Sequence, residues 1–494
     1  MIESHLPVLQ VIVPLMAAPL ALLLRRSTAA WSLAMVSSWV SVGLAIALLN
    51  AVLDGGPISY RMGDWAAPWG IEYRVDWLGA FVVLIIAAIG AIVLPYARRS
   101  VEHEIPQDRI YLFYAMYLLC LAGLLGMVVT GDAFNLFVFL EISSLSSYVL
   151  ISMGSGRQAL SASFRYLIMG TIGATFYIIG VGMMYMMTGT LNMEDLSTLL
   201  PAVAESRTLI VALAFLTVGI SLKLALFPLH FWLPNAYTYA PSAVTVFLAS
   251  TATKVAAYVL IRIIFTVFGG LETLFTFELV RDALLIMALA AMFSASAVAI
   301  YQGNIKRMLA YSSLAQIGYI VLGIGLANVT GLTGGIVHLF NHALVKGALF
   351  MAVGAIVMQT GRVNLSAFQG LGRKMPFTMA AFTAGGLGLI GVPLTTGFVS
   401  KWYLVQGALE SGQWIIAVLI LLSSLLAVIY VWRVVEVAYF HPLPADNADV
   451  REAPLSMLVP MWVLVLASIY FGSHATFTLD VAGRAAEALM GGAP

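Results

Sequence analysis

Charge is what this chain has least of. Of its 494 residues only 10% are Asp, Glu, Lys or Arg, while 61% are hydrophobic. Soluble domains carry roughly 25% charged residues, so too little polar surface is present to cover a water-soluble globule. The same composition excludes a disordered chain. Cysteine is nearly absent: Cys120 stands alone, which excludes an internal disulfide and a Cys-based metal cluster. A net charge of +1 offers neither a basic face for nucleic acid nor an acidic tail. No cleavable leader is expected either. Met1 to Pro7 holds Glu3 and His5 without a basic n-region, and the apolar run Leu6–Leu24 ends on Arg25-Arg26. That run is expected to be a retained first span. What is left is an all-α polytopic membrane protein.

A span needs about 20 mostly apolar residues to cross roughly 30 Å of hydrocarbon. The hydropathy pattern predicts fourteen, over about 6–24, 31–53, 77–97, 109–130, 132–153, 159–188, 207–233, 241–268, 278–303, 306–327, 329–359, 377–409, 413–440 and 454–473. The tail after His474 is too short and mixed for a fifteenth, and 54–76 and 441–453 read as polar loops. Fourteen arginines and lysines fall beside loops that follow odd-numbered spans, against six on the other side, the six including Arg262. The positive-inside rule then puts the odd loops in the cytoplasm and both termini outside. Lys306 is counted among the loop cations.

Four lysines escape this sorting. Lys223, Lys254, Lys346 and Lys401 lie inside apolar spans, and the chain has only six lysines in all. Each costs about 2.5–3.5 kcal/mol to insert at mid-membrane. Arginine keeps its proton, whereas a desolvated lysine can exchange one, so intramembrane lysines suit proton transfer. Glu141 is the one carboxylate clearly at mid-span. Its approach would hold a proton on a nearby lysine, and its withdrawal would release it. The competing reading is that these charges only fix helix packing, and for Lys346 the two readings weigh equally.

His338 and His342 stand four apart, with Lys346 four further on, so all three share one helix face. Imidazoles pass protons near neutral pH. No Cys or carboxylate lies near enough in sequence to complete a metal site, and neither a metal nor a cofactor is expected. His230, in FPLHFWLP, reads equally as a relay member or as a cap on a helix break.

Proline marks two of the lysine-bearing spans. Pro228 lies five residues after Lys223, and Pro393 eight before Lys401. Each removes a backbone donor and frees the carbonyl four residues earlier, which a membrane tolerates only against buried protein or a hydrated cavity. Breaks in corresponding spans point to duplication. The division reads 1–108 as spans 1–3, 109–268 as a first repeat of spans 4–8, 278–440 as a second repeat of spans 9–13, and 441–494 as the last span and tail. Each repeat has an odd number of spans, so the copies would be inverted, with helices 7 and 12 broken.

The stretches GDAFNLFVFLEISSLSSYVL, KLALFPLHFWLPNAYTYAPSAVTVFLASTATKVAAYVLIR, NIKRMLAYSSLAQIGY, HLFNHALVKGALF and GVPLTTGFVSKW resemble the antiporter-like subunits shared by Mrp cation/proton antiporters and respiratory complex I. Within that family FNLFVFLEI and FPLHFWLPNAY are most similar to the D-type Mrp subunit. The resemblance implies a proton-translocating subunit of a multisubunit Na⁺/H⁺ antiporter in a bacterial inner membrane, working with other Mrp-type membrane subunits. It implies that Glu141 and Lys223 are paired charges, Lys254 a central relay, His338 a connecting histidine and Lys401 a terminal lysine. His342 and Lys346 match the pattern without an assigned role. Asn235 stands where many relatives have Asp, and Leu394-Thr395 replaces a commoner Pro-Ser. The same subunit type serving a redox-linked respiratory complex, and a non-transporting scaffold, are the alternatives.

Overall fold

Apolar runs fix where helices lie, and short polar residues fix where they start. Asp76, Asp132, Asn304 and Asn328 each turn a side-chain oxygen onto a backbone N–H of the helix that follows, satisfying a donor the first turn leaves free. In the computed structural model, which describes residues 5–269 and 275–491, the first helices are α1 (Leu6–Leu24), α2 (Ser27–Gly55), α3 (Trp77–Glu104), α4 (Ile110–Val129), α5 (Ala133–Ser152) and α6 (Arg157–Thr188). Then come α7 (Met193–Leu199), α8 (Arg207–Leu224), α9 (Leu233–Tyr239), α10 (Ser242–Ser250), α11 (Ala252–Ile261), α12 (Phe275–Ile300), α13 (Ile305–Leu326) and α14 (Val329–Thr360). The chain closes with α15 (Leu371–Lys374), α16 (Pro376–Ile390), α17 (Thr396–Glu410), α18 (Trp414–Phe440), α19 (Leu455–Ser473) and α20 (Thr476–Leu489).

Among the described residues thirteen helical stretches are long and apolar enough to cross a membrane, with α10, α11 and the turn after them taken as one. The fourteenth passage is α16 with α17, each too short alone. Its break falls at the expected proline. Gly391 ends α16 with φ 90° and Leu394 follows at φ 72°, a left-handed conformation that costs a branched side chain energy. The other expected break begins three residues before Pro228, where Ala225 ends α8 with φ 60°.

Three features depart from the sequence expectation. The loop 54–76 contains a hairpin, in which β1 (Ile58–Arg61) pairs antiparallel with β2 (Glu72–Val75). The eighth passage, expected to be continuous, breaks at Thr251 (φ −125°, ψ −58°) and ends in a π-helical turn over Arg262–Val267. The tail forms α20, whose Thr478, Val481, Ala482, Ala485 and Ala486 are buried along one face.

Two backbone clasps repeat one another. Asp132 bridges Asn192, and Asn304 bridges Asn364. Ala133 N–H donates to Leu191 and Met193 N–H to Gly131; Ile305 N–H donates to Val363 and Leu365 N–H to Gly303. Every partner is displaced by 172 residues (132 to 304, 192 to 364). Five passages separate the clasps, so they lie on opposite faces. The hairpin touches the first clasp, since Tyr73 bridges Thr130. Its side is here called the hairpin face.

Helices α3, α10, α13 and α14 make the interior: all nine residues of α10 and twenty of α13 are buried. Helices α1, α2, α18 and α19 keep outward apolar stripes, as lipid-facing helices do.

Candidate functional site

All four span lysines point inward. Lys254 and Lys346 have no exposed surface, while Lys223 and Lys401 are 8% and 7% exposed. Burial at that level requires a partner for every ammonium proton, and most of the partners are neutral.

Lys223 lies in the last turn of α8, where a cation suits the helix dipole. Its Nζ donates to Ser144 Oγ at 2.7 Å and stands 3.8 Å from Glu141 Oε1. Glu141 sits on the outward stripe of α5 with Phe134, Val138, Leu145 and Val149, and its Oε1 accepts no hydrogen bond. The pair is thus a loose one. Beside it lies a chamber of about 30 Å³ lined by Ser143, Ser144, Ser147, Tyr166 and Lys223, with Ala252 and Ala256 of α11 as the far wall. That is room for a water, between Lys223 and the helix that carries Lys254.

Lys254 follows the break at Thr251 and donates to the Ala249 carbonyl on the other side of it. His342 lies on α14, one turn before Lys346. Both of its ring nitrogens are buried without a protein partner, which marks a place for water. His338 stacks on His342 with ring centroids 6.5 Å apart. Its Nδ1 meets Ser400 Oγ at 2.9 Å and its Nε2 meets Gln316 Oε1 at 3.0 Å. Ser400 immediately precedes Lys401. Lys401 Nζ donates to the carbonyls of Leu389 (3.1 Å) and Ile390 (2.8 Å) and stands 4.7 Å over the Tyr319 ring. Lys346 donates to Leu309 O at 2.9 Å and to Ser312 Oγ.

The two breaks use their lysines differently. Lys223 precedes its break and Lys401 follows its own, so they occupy matching spans but not matching positions. Both ammonium groups still gather at the carboxyl end of the first half-helix. Glu141 has no carboxylate counterpart at Lys401: the residue 172 positions on is Ser313, whose hydroxyl donates to Leu309 O.

His230 lies within the break, after Pro228. Its ring stacks between Phe227 and Phe231, and its Nδ1 is buried without a partner. The cap on the broken helix is Trp232 instead, whose Nε1 donates to Leu222 O at 2.8 Å. Pro228 itself is exposed.

Two cations sorted by sequence into loops are buried. Lys306, 4% exposed, donates to Ala240 O at 3.4 Å. Arg262 forms a forked pair with Asp76, one arm at 2.6 Å, and donates through Nε to Tyr258 Oη at 2.9 Å. Burial would raise the Asp76 carboxyl, but the Arg262 guanidinium holds it below the usual range. Ser144, Ser400, Gln316 and Tyr319 also escaped sequence reading. The available signal was adjacency in one helix, for Ser400 beside Lys401.

The family described as NADH:quinone oxidoreductase/Mrp antiporter, TM, matches residues 130–427. The chain is 44% identical over 95% of its length to a protein from Desulforudis audaxviator named as the N-type subunit of NADH-quinone oxidoreductase, covering 96% of that protein. It is 30% identical over 99% of its length to the D-type Na(+)/H(+) antiporter subunit of Bacillus subtilis, covering 97% of it. Its fold superposes on a chain of the Mrp complex from Dietzia sp. DQ12-45-1b with a TM-score of 0.90 and 26% identity, over 99% of this chain and 98% of that one.

Proposed function

Because the chain belongs to the NADH:quinone oxidoreductase/Mrp antiporter transmembrane family, we propose that it carries protons along Glu141, Lys223, Lys254, His338 and Lys401 as one membrane subunit of a multisubunit Na⁺/H⁺ antiporter. The observation that carries this reading is the setting of the lysines. Each is buried, and each is held by hydroxyls, backbone carbonyls or a ring face, with one loose carboxylate among them. Neutral acceptors let an ammonium lose its proton without stranding a buried carboxylate, which a tight ion pair would not.

Glu141 would gate the transfer. Drawn toward Lys223, the carboxylate keeps a proton on the ammonium; drawn outward, it lets that proton pass to the chamber and on toward Lys254. His342 and the Gln316–His338–Ser400 contacts bridge to Lys401, while Lys346 gives a second cation beside His342. A membrane potential supplies about 2.3 kcal/mol per charge per 100 mV, comparable to one such step. The duplicated clasps support the reading of 109–268 and 278–440 as inverted repeats around this file. The distribution of arginine and lysine supports both termini outside a bacterial inner membrane, with the hairpin face outward.

The test is proton transport by the purified complex in proteoliposomes. Lys223→Ala and Glu141→Ala should abolish transport while the complex still assembles; loss of assembly alone would favour a packing role. A second reading rests on the 44% identical relative: the same proton path serving as the membrane arm of a respiratory enzyme. Mass spectrometry of subunits co-purified in mild detergent separates the two. Membrane partners without redox proteins favour the antiporter, and subunits carrying flavin or iron–sulfur clusters favour the respiratory enzyme.

A further inference from the structure

On the face opposite the hairpin, α6 and α9 border an open surface pocket of about 170 Å³, lined by Gln158, Ser161, Ala162, Arg165, Asn235 and Tyr239. From this pocket α6 runs on to the lysine chamber. One turn deeper on α6, after Ala162, comes Tyr166; just ahead of α9, three residues before Asn235, comes its N-cap Trp232. These two rings lie flat on each other, with centroids 3.9 Å apart and planes 6° from parallel. Tyr148 closes the edge of the stack at 4.7 Å and 86°. Tyr166 lines the chamber next to Lys223. A turn deeper still is Gly170, where a Cβ would fall 1.9 Å from Tyr148 Oη and 3.4 Å from Lys223 Nζ. The Tyr148 hydroxyl is buried and makes no hydrogen bond.

Pocket, aromatic pair and chamber thus follow one face of α6 in sequence, at 158, 162, 166 and 170. We propose that Tyr166 and Trp232 are the closed gate of an access path from the hairpin-free face to Lys223, through which water and protons pass only when the stack parts. The proposal rests on the reading of Lys223 as a proton carrier. A coupling to that lysine is already built. The Trp232 indole donates to the carbonyl of Leu222, the residue adjoining Lys223, in the final turn of α8. Any loosening of that turn as Lys223 gives up its proton pulls on the indole and on the ring stacked against it. At Gly170 the Tyr148 hydroxyl takes the place a side chain would fill, which lets it stand close to the ammonium.

Cys120 is a native reporter of this gate. Its Sγ stands 3.3 Å from Ser147 Oγ on the chamber wall, and it is the sole cysteine of the chain. The experiment is alkylation of Cys120 by iodoacetamide in the assembled complex in membrane vesicles, read by peptide mass spectrometry. Wild type should be inert, Tyr166→Phe should match it because the ring is kept, and Tyr166→Ala should react at least about tenfold faster, since thiol modification follows access. Tyr166→Leu, which fills space without stacking, carries the test if the Ala variant does not assemble. Ser161→Cys, exposed on the outer pocket, is the positive control. The proposal is overturned if Ser161→Cys reacts while Cys120 stays inert in the assembled Ala or Leu variant, if Cys120 reacts as fast in wild type, or if Tyr166→Phe exposes it equally. Alkylation needs no ion flux. It can fail while Lys223→Ala still abolishes transport, which leaves the function standing without this gate; transport can fail to depend on Lys223 while the thiol readout still reports a gate.

Discussion

Lys401 reaches back across a helix break to the carbonyl of Leu389, the one that Pro393 leaves without an amide partner. The proline removes the N–H that would bond four residues back, and the ammonium takes its place at 3.1 Å, with the Ile390 carbonyl at 2.8 Å. Break and lysine are therefore a single device. The break supplies neutral acceptors for a charge that bilayer burial would otherwise penalise, and the lysine satisfies backbone that the break exposes.

Pro393→Ala returns that N–H and lets α16 compete for Leu389 O. The complex should still assemble, with proton transport in proteoliposomes reduced about tenfold or more, as expected for loss of one charge-assisted hydrogen bond of about 1.5–3 kcal/mol. Unchanged transport would separate the break from function.

Lys401→Arg keeps the positive charge but not an exchangeable proton. Transport should vanish while subunit association, followed by size-exclusion chromatography, is retained. If Arg transports like Lys, this residue anchors the break without carrying protons.

Asp76→Asn leaves Arg262 buried beside a neutral partner, at a cost of about 3–5 kcal/mol. The pair's pH dependence has a definite sign. An unfolded Asp titrates near 3.9, and Arg262 holds the folded carboxyl lower. The stabilisation is therefore complete above that value and is lost as the pH falls through the folded pKa. The Tm gap between wild type and variant should be flat from about pH 8 to 5 and shrink only below about 4.

Asp132→Ala and Asn304→Ala each remove the cap of one clasp. Each should cost about 1 kcal/mol, and the double variant should show the sum, because sites on opposite faces do not couple. Thermal unfolding of the detergent-purified complex measures both. A double effect well beyond the sum would show the clasps acting as a unit.

Much of this architecture was legible in the residues alone. Apolar runs of about twenty residues have one low-energy answer in a bilayer, so the passages and their order followed directly. Lys223, Lys254, Lys346 and Lys401 stood out because ammonium groups are costly there. The π-helical turn at Arg262 and the break at Thr251 were invisible, since neither carries a proline or a change in hydropathy. Lys306 and Arg262 lie at span ends, where sequence position alone cannot distinguish a loop cation from a buried one.

Composition and periodicity by themselves determined that the chain is a bundle of membrane-crossing helices with ionisable groups at its centre, because the bilayer imposes that outcome on any sequence of this pattern. Tertiary structure decided which groups meet. Ser144 and Lys223 are 79 residues apart, as are Asn328 and Gly407, and His338 finds Ser400 across 62. Such partners are chosen by how helices pack side by side. Local sequence sets each helix's own face but holds no record of the neighbour it will turn toward.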